Sequence, residues 1–160
     1  MLLKQELADF FKNYRKVVIL GIGNDILGDD GLGSFIARSL MDLDEYIISL
    51  DGGVVPENFT GTIKKENASH ILLVDAVELG EAPGYVRLVE KDEIANYSIS
   101  THSIPISFLI KYLQVGTDAK IALIGIQPES MELGDEISPS VKKSAIEVLN
   151  TLKYILNIEN

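Results

Sequence analysis

The chemistry-bearing residues of this chain begin in one loop. The apolar run Val17-Val18-Ile19-Leu20 leads into Gly21-Ile22-Gly23-Asn24 and then, past Asp25, into Asp29-Asp30-Gly31-Leu32-Gly33. A buried strand ending in an acidic, glycine-rich loop is a candidate site, because open α/β sheets bind ligands at the carboxyl ends of their strands. A dinucleotide does not suit it. The third glycine of that fingerprint would fall at position 26, which is Ile26, no P-loop lysine follows, and Asp25, Asp29 and Asp30 would repel a phosphate. Clustered carboxylates better suit a cation, whose charge offsets the cost of taking them out of water. The plain alternative is that Asp29 or Asp30 caps the next helix.

Two more carboxylates close apolar runs: Asp51, followed by Gly52-Gly53, and Asp75, which ends the run 71–74. His102 follows Thr101 just before an amphipathic stretch. Two aspartates and an imidazole, Asp30, Asp75 and His102, form an oxygen, oxygen, nitrogen set suited to a divalent transition metal such as nickel or zinc. Each residue also has an ordinary explanation. Asp75 and the Asp51-Gly52-Gly53 run can be turn residues, and a lone histidine can be a hydrogen-bonded structural group. The other histidine, His70, opens the third strand at the end opposite Asp75.

The elements that must position these groups alternate along the chain. Leu3, Leu7, Phe10, Phe11 and Tyr14 recur at helical spacing, as do Leu32, Phe35, Ile36, Leu40 and Met41. Strands are expected at positions 46–50, 71–74 and 121–126, and a shorter edge strand at 85–89 after Pro83-Gly84. Positions 56–65 are ambiguous and can hold a helix, and another helix is expected at 105–113. Ser138-Pro139 starts a closing helix with Val141, Ala145, Val148, Leu149, Leu152 and Ile155 on its apolar face. This order specifies a three-layer α/β/α sandwich with a mostly parallel sheet and one shorter edge strand. The crossover rule then places Asp30, Asp51 and Asp75 at one edge of the sheet.

Composition sets outer limits. A chain of 160 residues, 46% apolar, is expected to form a single domain over 1–160. Its 24 acidic against 14 basic residues give a net charge of −10, which argues against nucleic acid or anionic membranes as partners. With no cysteine, disulfides, thiolate metal ligands and a cysteine nucleophile are excluded. Lys4, Glu6 and Asp9 interrupt the apolar pattern where a signal peptide would lie, and no apolar run is long enough to span a membrane. A cytoplasmic protein is expected.

Over almost its whole length the chain resembles a known family. The ordered motifs Gly21-Ile22-Gly23-Asn24, Asp29-Asp30-Gly31-Leu32-Gly33, Asp51-Gly52-Gly53, Val74-Asp75-Ala76, Thr101-His102 and Gly125-Ile126-Gln127-Pro128 resemble the hydrogenase maturation endopeptidases. More narrowly, they resemble the branch serving formate-hydrogenlyase-type and energy-converting nickel-iron hydrogenases. The resemblance implies an endopeptidase of aspartic type that removes a C-terminal extension from the hydrogenase large-subunit precursor after nickel insertion. It puts the metal-contacting groups at Asp30, Asp75 and His102, and the expected cofactor is nickel supplied by the precursor itself. The protease would sense that nickel. The bond is then broken by nickel polarising a carbonyl or water, or by an aspartate acting as general base. Ser100 and Ser103 flank His102, but sequence neighbours rarely make nucleophile-base geometry. Gly52 and Gly53 are assigned to letting the precursor's backbone lie close, against the alternative of a turn needing positive φ. A monomer is expected, and the competing function is a non-proteolytic nickel-binding maturation chaperone.

Overall fold

The structure, a computed structural model, describes residues 2–97 and 105–159. Its centre is three parallel strands, β1 (Val17–Ile22), β3 (His70–Ala76) and β5 (Lys120–Ile126), buried along almost their whole length. Near-continuous runs of Val, Ile and Leu form such strands because both of their faces are covered. Outside β1 lies the parallel strand β2 (Ile47–Gly53), and outside β5 the short antiparallel strand β4 (Val86–Glu90), giving the order β2-β1-β3-β5-β4. This is the α/β/α sandwich with a mostly parallel sheet and one shorter edge strand that the element pattern predicts, and the structure adds that the short edge strand runs antiparallel.

Side chains alternate across the strands and so build two cores. On one face, α1 (Leu2–Phe10), α2 (Leu32–Ser39) and α5 (Pro139–Ile155) pack Leu7, Phe10, Leu32, Ile36, Val148 and Leu152 against Ile19, Val74 and Ile124. On the other, α3 (Thr60–Glu66) and α4 (Ile106–Gln114) pack Ile63, Leu109 and Leu113 against Val18, Leu20, Leu73 and Leu123. The strand order reverses between β1 and β3. From β1 the chain crosses outward to β2 and then returns past β1 to β3, so the loops leaving the two strands diverge and open a crevice at their carboxyl ends. Gly21 stands opposite Asp51 on one side and Val74 on the other, and Asp75 stands opposite Gly125.

Several boundaries differ from the expectation. Asp51, Gly52 and Gly53 continue β2 instead of following it, and a register shift opposite Gly21 and Ile22 accommodates the extra residue. Asp75 likewise lies within β3. Positions 56–66 hold a 3-10 turn (Pro56–Phe59) running into α3, and a second such turn (Lys91–Asn96) follows β4, where none is expected. Polar residues hid these extensions, because their backbones follow the ladder whatever their side chains do. Among the described residues no helix is long and apolar enough to cross a membrane.

His70 shows what the amino end of the sheet is for. Its ring is buried, set edge-on to Phe10 at 5.3 Å and tilted against Phe11 at 5.7 Å, with Nδ1 2.9 Å from Ser69 Oγ. It is a packing residue. Burial first, then the charge of Lys120, hold its pKa below the ordinary 6.5, against the opposing effect of a hydrogen bond with the Phe10 backbone. A ring kept neutral in the fold but protonated in the unfolded chain removes stability as pH falls through about 6.5. Thermal scans are therefore expected to show Tm falling between pH 7.5 and 5.5, and falling less in His70→Leu; equal falls in the two proteins would refute this assignment.

Candidate active site

The site is built on two glycines. At Gly33 an added Cβ would lie 2.6 Å from the Val74 carbonyl oxygen and 2.7 Å from the Ile22 nitrogen, and at Gly21 it would lie 2.7 Å from Ala37 Cβ. The first turn of α2 thus rests directly on the ends of β1 and β3, with no room for a side chain. The connecting segment is a buried 3-10 turn, Gly28–Gly31, packed against β3. It carries Asp29 and Asp30 into the crevice.

These two neighbouring aspartates point to different places. Asp29 is fully buried and faces residues 129–138: Oδ2 accepts the Glu129 N–H at 2.7 Å and the Ser130 N–H at 3.0 Å, and Oδ1 accepts the Ser138 N–H at 2.6 Å. The Ser138 hydroxyl lies 2.8 and 2.7 Å from the two oxygens. Asp30, also buried, accepts the Asn24 N–H at 2.9 Å through Oδ2. Neither carboxylate caps the 3-10 turn or α2. The helix-cap reading therefore fails for both.

Asp75 is fully buried one residue from the end of β3. Strand alternation puts its side chain on the same face as Leu73, in the layer covered by α3 and α4. His102 lies outside the described residues, in the segment that leads into α4. Among the described residues no three His, Cys, Asp or Glu side chains are grouped to hold a metal. The structure buries two carboxylates on segments that follow or end neighbouring strands, Asp75 within β3 and Asp30 in the turn after β1, with Asp30 Oδ1 3.4 Å from where a Cβ on Gly23 would stand. Such a pair can take a cation or a proton, or act as a base toward water.

Asp51 belongs to the flank of this site. Its Oδ1 accepts from Ser34 Oγ at 2.7 Å and from the Gly53 N–H at 3.2 Å, and its Oδ2 accepts from Arg38 Nε at 2.7 Å. Arg38 Nη2 reaches Asp25 at 3.2 Å. The hydrogen bond and charge of Asp51, with a smaller contribution from Asp25, raise the Arg38 pKa still further. On the other flank, buried Gln127 accepts the Leu79 N–H at 2.7 Å and donates to Glu78 at 3.0 Å, holding the loop that leaves β3. Sequence reasoning named Gln127 only as part of a motif and missed Ser34, Arg38 and Ser138 as partners. The spacing of Ser34 and Arg38, one turn apart on α2, was the available signal.

Both glycines of β2 have reasons within the chain. A Cβ on Gly52 would meet the Gly21 carbonyl oxygen and Leu20 Cδ1 at 2.9 Å, so this position faces the protein's own interior. Gly53 adopts φ +56°, a conformation that L residues rarely enter, while a Cβ there would have no atom within 4 Å. The turn explanation accounts for Gly53, and only its outer side is open to another backbone.

The sequence and the fold both have known counterparts. A family model described as hydrogenase maturation protease matches residues 35–154, a span that includes Asp75 and His102 and begins just after Asp30. A putative hydrogenase maturation protease of Methanocaldococcus jannaschii is 37% identical over 163 residues, covering 96% of both chains. The hydrogenase 3 maturation protease of Escherichia coli K12 is 33% identical over 114 residues, covering 70% of this chain and 72% of its own. The crystal structure of the [NiFe] hydrogenase maturation protease HycI from Thermococcus kodakarensis superposes with a TM-score of 0.88 at 31% identity, covering 95% and 99% of the two chains.

The divergence of Asp29 and Asp30 has a measurable consequence. Both oxygens of Asp29 accept N–H groups, so an amide there would set its own NH2 against a donor. Asp29→Asn is expected to cost on the order of 2–3 kcal/mol in denaturant melts, whereas Asp30→Asn, whose amide oxygen can still accept the Asn24 N–H, should leave stability nearly unchanged. The reverse order would exchange the roles of the two residues. Gly52→Ala, pressed against backbone, should lower Tm more than Gly53→Ala, which bears only the strain of a left-handed alanine, about 1–2 kcal/mol.

Proposed function

Because this chain belongs to the hydrogenase maturation protease family, we propose that it is the endopeptidase that removes the C-terminal extension of a nickel-iron hydrogenase large-subunit precursor once nickel is in place. The observation that supports this reading is the burial of Asp30 and Asp75, the first in the turn that follows β1 and the second in the last two residues of the neighbouring strand β3. Nickel enters as part of the substrate. Asp30, Asp75 and His102 would contact an ion already held by the precursor, and two aspartates with one histidine make only a modest site of their own for nickel. Affinity then depends on the precursor's ligands, and cleavage waits for nickel loading.

Within this proposal each described residue has a chemical task. Asp30 and Asp75 supply negative charge in a crevice where little water competes, and either can take a proton from an attacking water as general base. The open outer side of Gly53 would let the extended substrate lie along the end of β2; Gly52, which faces inward, would serve only by keeping that end close to β1. The cell compartment that fits is the cytoplasm, and a monomer would suffice, since the proposed groups come from one chain.

Mass spectrometry of the precursor tests the reading. Nickel-loaded precursor should shorten on incubation, and chelator treatment and desalting of the enzyme should leave that activity intact. Precursor without nickel should stay uncut. A chelated enzyme that recovers only when metal is restored, and then cuts metal-free precursor, would be an ordinary metallopeptidase; a loaded precursor that binds but never shortens would identify a maturation chaperone. Asp30→Asn should lower cleavage by about 100-fold or more, beyond the effect of Asp29→Asn under conditions where both variants remain folded.

A further inference from the structure

We propose that Arg38 is a positioning residue, whose guanidinium, forked between Asp51 and Asp25, holds the loop after β1 in the conformation that presents Asp30. This rests on the assignment of Asp30 to the reacting site. Arg38 projects from α2, yet its two partners lie on different elements: Asp51 near the end of β2 and Asp25 in the loop after β1. From that fork a continuous hydrogen-bonded path leads inward. Asp51 Oδ1 receives the Gly53 N–H, the Gly53 carbonyl receives the Gly23 N–H at 3.0 Å, and the Asn24 N–H, next along the chain, is donated to Asp30 Oδ2 at 2.9 Å. Asp25 is close on the other side, with its Cα 3.1 Å from where a Cβ on Gly31 would stand.

Two features separate this role from simple stabilisation. The Arg38 side chain is 58% exposed, and exposed ion pairs contribute little to folding. Two carboxylates on separate elements also require a planar fork, so lysine, a point charge on a single amine, can hold one of them but not both. Arg38 thus holds β2 from α2 at Asp51, the residue at which the pairing of β1 with β2 shifts register.

The test has one readout that needs no substrate. Amide hydrogen exchange at Gly23 and Asn24 should accelerate about tenfold in Arg38→Ala and by an intermediate amount in Arg38→Lys. It should not change in Lys16→Ala, which breaks the 3.0 Å Lys16–Glu66 pair at the opposite end of the sheet. Tm should stay within a few degrees of wild type in all three. On nickel-loaded precursor, Arg38→Ala should lower kcat about 10- to 100-fold with KM unchanged. Wild-type exchange rates at Gly23 and Asn24 in Arg38→Ala would overturn the proposal, and so would a raised KM with unchanged kcat, which would make Arg38 a substrate contact. If wild-type protein fails to cut any precursor, the functional reading falls, while the exchange result still decides whether Arg38 positions the loop.

Discussion

The carboxyl edge of this sheet depends on a backbone-to-backbone contact, the first turn of α2 lying on the ends of β1 and β3 at Gly21 and Gly33. A methyl group at either glycine would displace the helix, because the neighbouring atoms, main chain together with the Ala37 Cβ, cannot rotate away. With the helix this close, the segment between β1 and α2 has no space for an open loop and tightens into the 3-10 turn at Gly28–Gly31. Two consecutive carboxylates are buried as a result. A 3-10 turn advances about 120° per residue, so successive side chains leave it in different directions, and Asp29 and Asp30 part company.

Burying carboxylates costs free energy unless something answers their charge. Asp29 is answered by dipoles, the N–H groups of Glu129, Ser130 and Ser138 and the Ser138 hydroxyl, which in the same act fasten residues 129–138 to the first loop. The serine that the sequence marks as the start of α5 makes no side-chain cap on its own helix, because its hydroxyl serves Asp29. Asp51 is answered by a cation, Arg38, on the opposite flank. The loop after β1 is thereby gripped from both sides, through Asp29 on one and Asp25 on the other.

The topology gives that arrangement its place. The chain leaves β1 toward β2 and arrives at β3 on the other side of β1, so the crevice opens at the carboxyl ends of β1 and β3, beside the turn that carries Asp30 and the strand end that carries Asp75. The rest of the sheet supports this edge from a distance: His70 is packed at the far end among Phe10 and Phe11, and Gln127 ties the exit of β5 to the loop after β3. The histidine among the described residues, His70, is structural.

What the sequence determined by itself was the layer architecture and the identity of the acidic groups. Apolar runs such as 17–20 and 121–126, alternating with helical periodicities, leave few folds open, and a carboxylate that closes a run in one of the parallel strands lies at the edge where ligands bind. The division of labour among those carboxylates was decided only by tertiary structure. Asp29 and Asp30 are chemically identical neighbours, and nothing local tells which one faces residues a hundred positions away. Asp51 looks like a turn residue until β2 is paired with β1, because strand membership is set by a hydrogen-bonding partner and not by side-chain type. Arg38 belongs to the site for the same physical reason: its two carboxylates come from β2 and from the loop after β1, and only the folded chain brings these within one guanidinium's reach.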